Sequence, residues 1–181
     1  IMIYVFLAEG FEETEAIAPI DLLRRSGRNV ITVGVGNKTI KGSHGIPVTA
    51  DITAEEISLN DELEMIVLPG GMPGTINLEK SEYVQSAIDY CVKNRKFIGA
   101  ICAAPSILGH KGLLNGKTAV CYEGFEPQLE GAVIGNTSVA DDDIYVTARG
   151  AGVAVDFGLK LVEKVVSKAE SDKLRAAILC D

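Results

Sequence analysis

Cys102 stands in the run Gly99-Ala-Ile-Cys-Ala-Ala-Pro105, a context that can make a thiol reactive. The residues before it form a short apolar strand. Pro105 falls in the first turn of a following helix, where a missing N–H costs nothing. A thiol at such a junction meets free backbone N–H groups and the positive end of a helix dipole, and both favour the thiolate. Ala100 and Ala104 supply the small residues that a tight nucleophile elbow demands on either side. A cysteine after an apolar strand is also a common buried packing residue, so the context leaves a structural thiol open.

Three other places could share a site with it. Glu9-Gly-Phe-Glu-Glu-Thr-Glu15 puts four carboxylates around a strand end and a helix start. A carboxyl buried beside a thiolate keeps its proton and donates a hydrogen bond, whereas an acidic first turn simply complements the dipole. The spacing does not choose among Glu12, Glu13 and Glu15. Gly70-Gly71 can approach a substrate closely and present N–H groups to an oxyanion, or can be an ordinary turn. Arg149-Gly-Ala-Gly152 has two glycines of a dinucleotide loop, but Val155 occupies the third position, which argues against a nucleotide.

Neither histidine completes a catalytic dyad. His110 lies eight residues beyond Cys102 on the same expected helix, about 12 Å along its axis. His44 sits in a Gly42-Ser-His-Gly45 turn, where it reaches a site only through folding or assembly. A Cys–His–Asp hydrolase is poorly supported.

The elements that must position these residues alternate strand and helix. Met2–Ala8 is apolar throughout, the pattern of a strand covered on both faces. Glu12 to Ser26 has helical spacing with Gly27 as its stop. Asn29–Val35 is a second strand, Lys38–Thr49 a hairpin, and Thr53-Ala-Glu-Glu56 a capping box. Glu64–Leu68 and Phe97–Ile101 are further core strands, with a Ser81-capped helix to about Asn94 between them. Strands are expected near Thr118–Tyr122, Ala132–Ile134 and Ile144–Ala148. Helices follow from about Gly152 to Ser167 and over Asp172–Leu179. The pattern predicts one doubly wound α/β domain over 1–181, with ligands at the carboxyl ends of its strands.

Composition narrows the partners. The chain has 181 residues, a net charge of −8, no Trp and 6% aromatics, so phosphate backbones are repelled and stacking platforms are scarce. Nucleic acid is a poor partner. No apolar run approaches the roughly 18 residues of a membrane span. Cys91, Cys102, Cys121 and Cys180 form no CxxC pair and two histidines cannot complete a zinc site, so no metal or cofactor is expected. Met2–Ala8 lacks the basic flank of a signal peptide, and the cysteines then read as reduced thiols of a cytoplasmic protein.

Together the motifs Glu9-Gly-Phe-Glu-Glu-Thr-Glu15, Val67-Leu-Pro-Gly-Gly71, Ala100-Ile-Cys-Ala-Ala-Pro105 and Thr147-Ala-Arg-Gly-Ala-Gly152 resemble the ThiJ/PfpI family, most closely its DJ-one branch, in order and spacing over nearly the whole chain. The resemblance implies a flavodoxin-like three-layer sandwich around a mostly parallel sheet, in a homodimer. It selects Glu15 as partner of a Cys102 nucleophile and assigns oxyanion contacts to the N–H groups of Gly71 and Ala103, with Gly70 beside them. His44 replaces an Arg of the hairpin, and His44 and Arg25 are its candidates for an anion or cross-dimer contact. Ala103 stands where the protease-like branch has His, which argues against peptidase activity. The activities implied are a glutathione-independent glyoxalase or deglycase acting on small aldehydes or glycated substrates. An oxidative-stress sensor whose Cys102 becomes a sulfinate, and a chaperone-like protein, are the alternatives.

Overall fold

A computed structural model describes residues 1–181. Its strands are β1 (Met2–Leu7), β2 (Asn29–Gly34), β3 (Thr39–Lys41), β4 (Pro47–Thr49), β5 (Ile52–Thr53), β6 (Leu63–Leu68), β7 (Phe97–Ile101), β8 (Thr118–Ala119), β9 (Val133–Ile134), β10 (Val139–Asp142) and β11 (Tyr145–Ala148). The helices are α1 (Glu13–Arg25), α2 (Gly74–Lys80), α3 (Glu82–Lys93), α4 (Pro105–His110), α5 (Ala154–Val165) and α6 (Lys168–Ala177).

Seven strands form one sheet in the order β10-β11-β7-β6-β1-β2-β5. Every pairing in it is parallel except β10 with β11. The apolar run of β1 explains its central place, because alternate residues feed opposite cores. Ile3, Val5 and Leu7 join one cluster with Leu23 of α1 and Phe157 of α5. Tyr4 and Phe6 join the other with Ile88 of α3 and Ile107 of α4. Burying a large apolar side chain of this kind is worth about 1.5–3 kcal/mol. Helices therefore cover both faces, and the sheet is the flavodoxin-like arrangement that the sequence predicts.

From β1 the chain moves outward to β2, then returns across β1 to β6 on its other side. That reversal opens a crevice at the carboxyl ends of β1 and β6, where open α/β sheets bind ligands. Gly10, the acidic segment, Gly70-Gly71 and Cys102 all follow carboxyl ends of central strands.

Some elements differ from expectation. Thr118–Tyr122 and Ala132–Ile134 shrink to two residues each and pair with one another, outside the main sheet. That edge is taken by β10, an antiparallel strand whose Asp-rich sequence conceals it. Helix α2 follows Pro73 directly and hides behind the glycine-rich run. The last two helices shift: α5 begins after a 3-10 turn at Ala151–Val153, and α6 is capped by Ser167, whose hydroxyl accepts from the Glu170 N–H. In the capping box at Thr53, the Glu56 carboxylate accepts from the Thr53 N–H at 2.7 Å.

Ile20 and Leu23 of α1 are 6% and 0% exposed. They are core residues, so the apolar face of this helix is accounted for within the chain and only Ile17 stands out in solvent.

Candidate functional site

The first turn of α1 sorts its three carboxylates by angle. Successive helical residues advance by about 100°, so Glu13 and Glu15 face nearly opposite directions. Glu13 turns to the β3–β4 hairpin, where its carboxylate accepts from the N–H groups of His44 (2.9 Å) and Ile46 (3.3 Å). Burial alone would raise its pKa, but its own N–H and those of Ile46 and His44 hold it below the usual range. Glu12 stays half-buried, with Ser43 Oγ donating to it at 3.2 Å.

Glu15 turns inward and is 1% exposed. The Gly70 N–H donates to its Oε2 at 2.9 Å, and the Ala151 N–H and the Cys102 thiol also face its carboxyl. Burial pushes its pKa up to about 7 against those three hydrogen bonds, and the Glu12 charge adds to the rise.

Cys102 occupies the turn between β7 and α4 at φ 65°. A non-glycine residue in the left-handed region is uncommon and costs about 1–2 kcal/mol. The turn is over-determined by bonds: Cys102 N–H donates to the Ala148 carbonyl at 2.9 Å, and the Tyr122 N–H donates to the Cys102 carbonyl at 2.8 Å. The N–H groups of Ala103 and Gly71 both point at its sulfur.

Gly70 can only be glycine. A Cβ there would stand 2.6 Å from the Cys102 Cβ, 2.6 Å from Glu15 Oε2 and 2.8 Å from the Ile101 carbonyl oxygen. Gly71 has φ 91° and packs where a Cβ would overlap the Glu12 nitrogen and the Gly10 carbonyl. The loop is pinned from both sides, by Glu12 N–H to the Gly70 carbonyl at 2.9 Å and by Thr75 Oγ1 to the Gly71 carbonyl at 3.0 Å.

The electrostatics correct one expectation. Burial, and then the Glu15 charge, push the Cys102 thiol up to about 12. The Ala103 and Gly71 N–H groups oppose that rise without cancelling it. Helix α4 has only six residues, so its dipole does not decide the state of the sulfur; burial and then the carboxyl do. Cys102 and Glu15 titrate as one unit. The fully protonated pair loses its first proton near pH 7, from the carboxyl, and the remaining proton stays on the sulfur, facing the carboxylate.

Of the residues singled out in sequence, Cys102, Glu15, Gly70, Gly71 and Ala103 converge. Two do not join them within this chain. His44 gives its Nδ1 to Glu12 and Glu13, each at 3.2 Å, at the hairpin; with two carboxylates on it, it is no anion contact here. Arg25 ends α1, about 18 Å along the helix from Glu13, and pairs with Asp21 at 2.6 Å. His110 pairs with Glu79 at 2.5 Å. Ala151 is the site residue that sequence reasoning missed, since only its backbone contributes. The Arg-Gly-Ala-Gly motif after β11 was the available signal.

The profile described as the DJ-1/PfpI family matches residues 2–164. Among curated relatives, the Drosophila melanogaster protein dj-1beta is 32% identical over 178 residues, covering 97% of this chain and 95% of that protein. A Caenorhabditis elegans protein named glutathione-independent glyoxalase DJR-1.2 is 29% identical over 167 residues, covering 92% of this chain and 89% of that one. Among solved structures, oxidized Toxoplasma gondii DJ-1 superposes with a TM-score of 0.94 at 32% identity, over 99% of this chain and 98% of that one.

Proposed function

This chain belongs to the DJ-1/PfpI family, and from that premise we propose that it is a cysteine-dependent enzyme converting small 2-oxoaldehydes to 2-hydroxy acids. One observation carries the reading: a buried carboxyl with a pKa near 7 is hydrogen-bonded to a thiol whose sulfur also receives two backbone N–H groups. The glyoxalase name of the nematode relative supports the choice of substrate class.

The geometry performs the reaction in three steps. In the pair's one-proton state Glu15 is a carboxylate beside the thiol; it takes the thiol proton as the sulfur adds to the aldehyde carbon of methylglyoxal, forming a C–S bond. The carbonyl oxygen becomes an oxyanion served by the Gly71 and Ala103 N–H groups, and takes the Glu15 proton to give a hemithioacetal. Glu15, now a carboxylate, removes the proton from C1 and returns it to C2 through an enediol, leaving a 2-hydroxy thioester. Water then cleaves the C–S bond, releasing lactate and restoring the thiol. The same scheme extends to glycated amines as a deglycase, with the amine as the group released.

The sign of the pH dependence follows from the pair. Below about pH 7 both protons are held and no thiolate forms. Turnover therefore rises with pH through an apparent pKa near 7. A panel of small aldehydes, assayed from pH 5 to 9 on wild type and Cys102→Ser, tests this. A flat profile, or turnover that survives Cys102→Ser, overturns the proposal.

A second reading has its own support. A carboxyl that is still half protonated at pH 7 can donate to one sulfinate oxygen, and the Ala103 and Gly71 N–H groups can donate to the other, so peroxide would convert Cys102 to a stable sulfinate. Cys91 and Cys121 are 0% and 4% exposed, and burial, joined at Cys121 by the Glu126 charge, pushes their thiols up to about 12 and about 11, with no carboxyl hydrogen-bonded to either. Mass spectrometry after brief iodoacetamide or peroxide treatment should find Cys102 modified well before either. Prior labelling of Cys91 or Cys121 would remove both readings. A homodimer, on family membership, completes the proposal.

A further inference from the structure

Next to the turn that carries Cys102 is an open depression that the reaction above does not use. It has a volume of about 400 Å³ and is lined by Tyr122, Glu123, Ser138, Arg149 and the turn Gly150–Val153. Two of its walls are bonded to the reacting pair. The Tyr122 N–H donates to the Cys102 carbonyl at 2.8 Å, and the Ala151 N–H donates to Glu15. Ala148, whose carbonyl holds the Cys102 N–H, is the residue before Arg149.

Arg149 differs from the other arginines. The chain has six, and Arg24, Arg25, Arg28, Arg95 and Arg175 each form an ion pair with a carboxylate. Arg149 has none within 4.0 Å, its side chain makes no hydrogen bond, and it is exposed on the depression. Its backbone is fixed by an N–H bond to the Ser138 carbonyl at 3.1 Å. On a chain of net charge −8, any attraction for an anion must be local, and a guanidinium is the side chain whose fork fits a carboxylate or phosphate. Its field reaches the neighbouring cysteine, drawing the Cys121 thiol down against burial and Glu126.

We propose that Arg149 is an anion subsite, holding the carboxylate or phosphate of a substrate whose carbonyl is presented to Cys102. The inference deepens the proposed function, and rests on it for the carbonyl half alone. It narrows the substrate class to oxo compounds with an acidic tail. Glu123 lies on the same lining and opposes the anion, which sets the subsite's strength.

The test uses two alkylating agents of similar size on the whole protein. Iodoacetate carries a carboxylate and iodoacetamide does not. The ratio of their rates at Cys102, read by peptide mass spectrometry, should fall about fivefold or more in Arg149→Gln. It should rise in Glu123→Gln and should fall as phosphate is added to wild type. Arg25→Gln removes the same charge at the far end of α1 and serves as the control for global charge. A ratio unchanged by Arg149→Gln, or lowered equally by Arg25→Gln, overturns the subsite. Turnover is the second arm: kcat/KM for 4,5-dioxopentanoate, relative to methylglyoxal, should drop at least tenfold in Arg149→Gln, chiefly through KM. Should wild type turn over neither aldehyde, the proposed reaction fails, while the alkylation ratio still decides whether Arg149 holds an anion.

Discussion

Glu15→Gln should lower aldehyde turnover about 10²-fold or more, the usual scale of a general acid–base residue, while the folded structure persists. Gln keeps the length and a donor but has no proton to relay. The rising limb near pH 7 should disappear with it, because that limb is the loss of the first proton from the Glu15–Cys102 pair. Glu15→Ala should cost at least as much, since the Gly70 and Ala151 N–H groups lose their acceptor as well. Glu12→Gln should be far milder, its carboxylate bonding only to Ser43 and His44 of the hairpin and acting on Glu15 through charge alone. Steady-state kinetics with methylglyoxal across pH 5–9 on these variants reads each effect. Wild-type turnover in Glu15→Gln would end the proton-relay role.

The second large effect is steric. Gly70→Ala should abolish turnover and destabilise the fold by about 1–3 kcal/mol, the range for forcing an extra carbon into a packed region. Its methyl would meet the Cys102 Cβ, the Glu15 carboxylate and the Ile101 carbonyl at once. Two of these are main-chain or Cβ atoms that cannot rotate away, so the sulfur–carboxyl contact must open. Thermal denaturation and the pH–rate profile together check this. An active, equally stable Gly70→Ala would show that the loop is free to move.

The central strands were legible because their signal is burial on both faces. Met2–Leu7 and Phe97–Ile101 are apolar without alternation, which separates them from strands that keep one face in water. Cys102 was legible through its neighbours, a strand before and Pro105 after. Glu15 was not, on spacing alone: three glutamates share a helix start, and what separates them is the hairpin that claims Glu13 and the loop that claims Glu15. Those partners are 31 and 55 residues away in sequence, a relation that no local pattern records. The thiol's electrostatics were misread for a similar reason. A helix start is a local feature, whereas the burial and the carboxyl that outweigh it come from α1 and the β6 loop.

The groups that hold the reacting pair have one trait in common. Gly70 and Ala151 hold the carboxyl, Gly71 and Ala103 face the sulfur, and each does so with its peptide N–H. A peptide N–H belongs to nineteen of the twenty residue types. Random substitution can therefore change what surrounds the site without deleting a donor, unless it introduces proline or a side chain too large for the space. The polar framework of the chemistry is in this sense inherited with the fold, and only the two titrating side chains and the two glycines with no room for a Cβ, Gly70 and Gly71, must be kept letter by letter. Lineages can thus diversify the rim, where substrates are told apart, while the apparatus beneath tolerates drift.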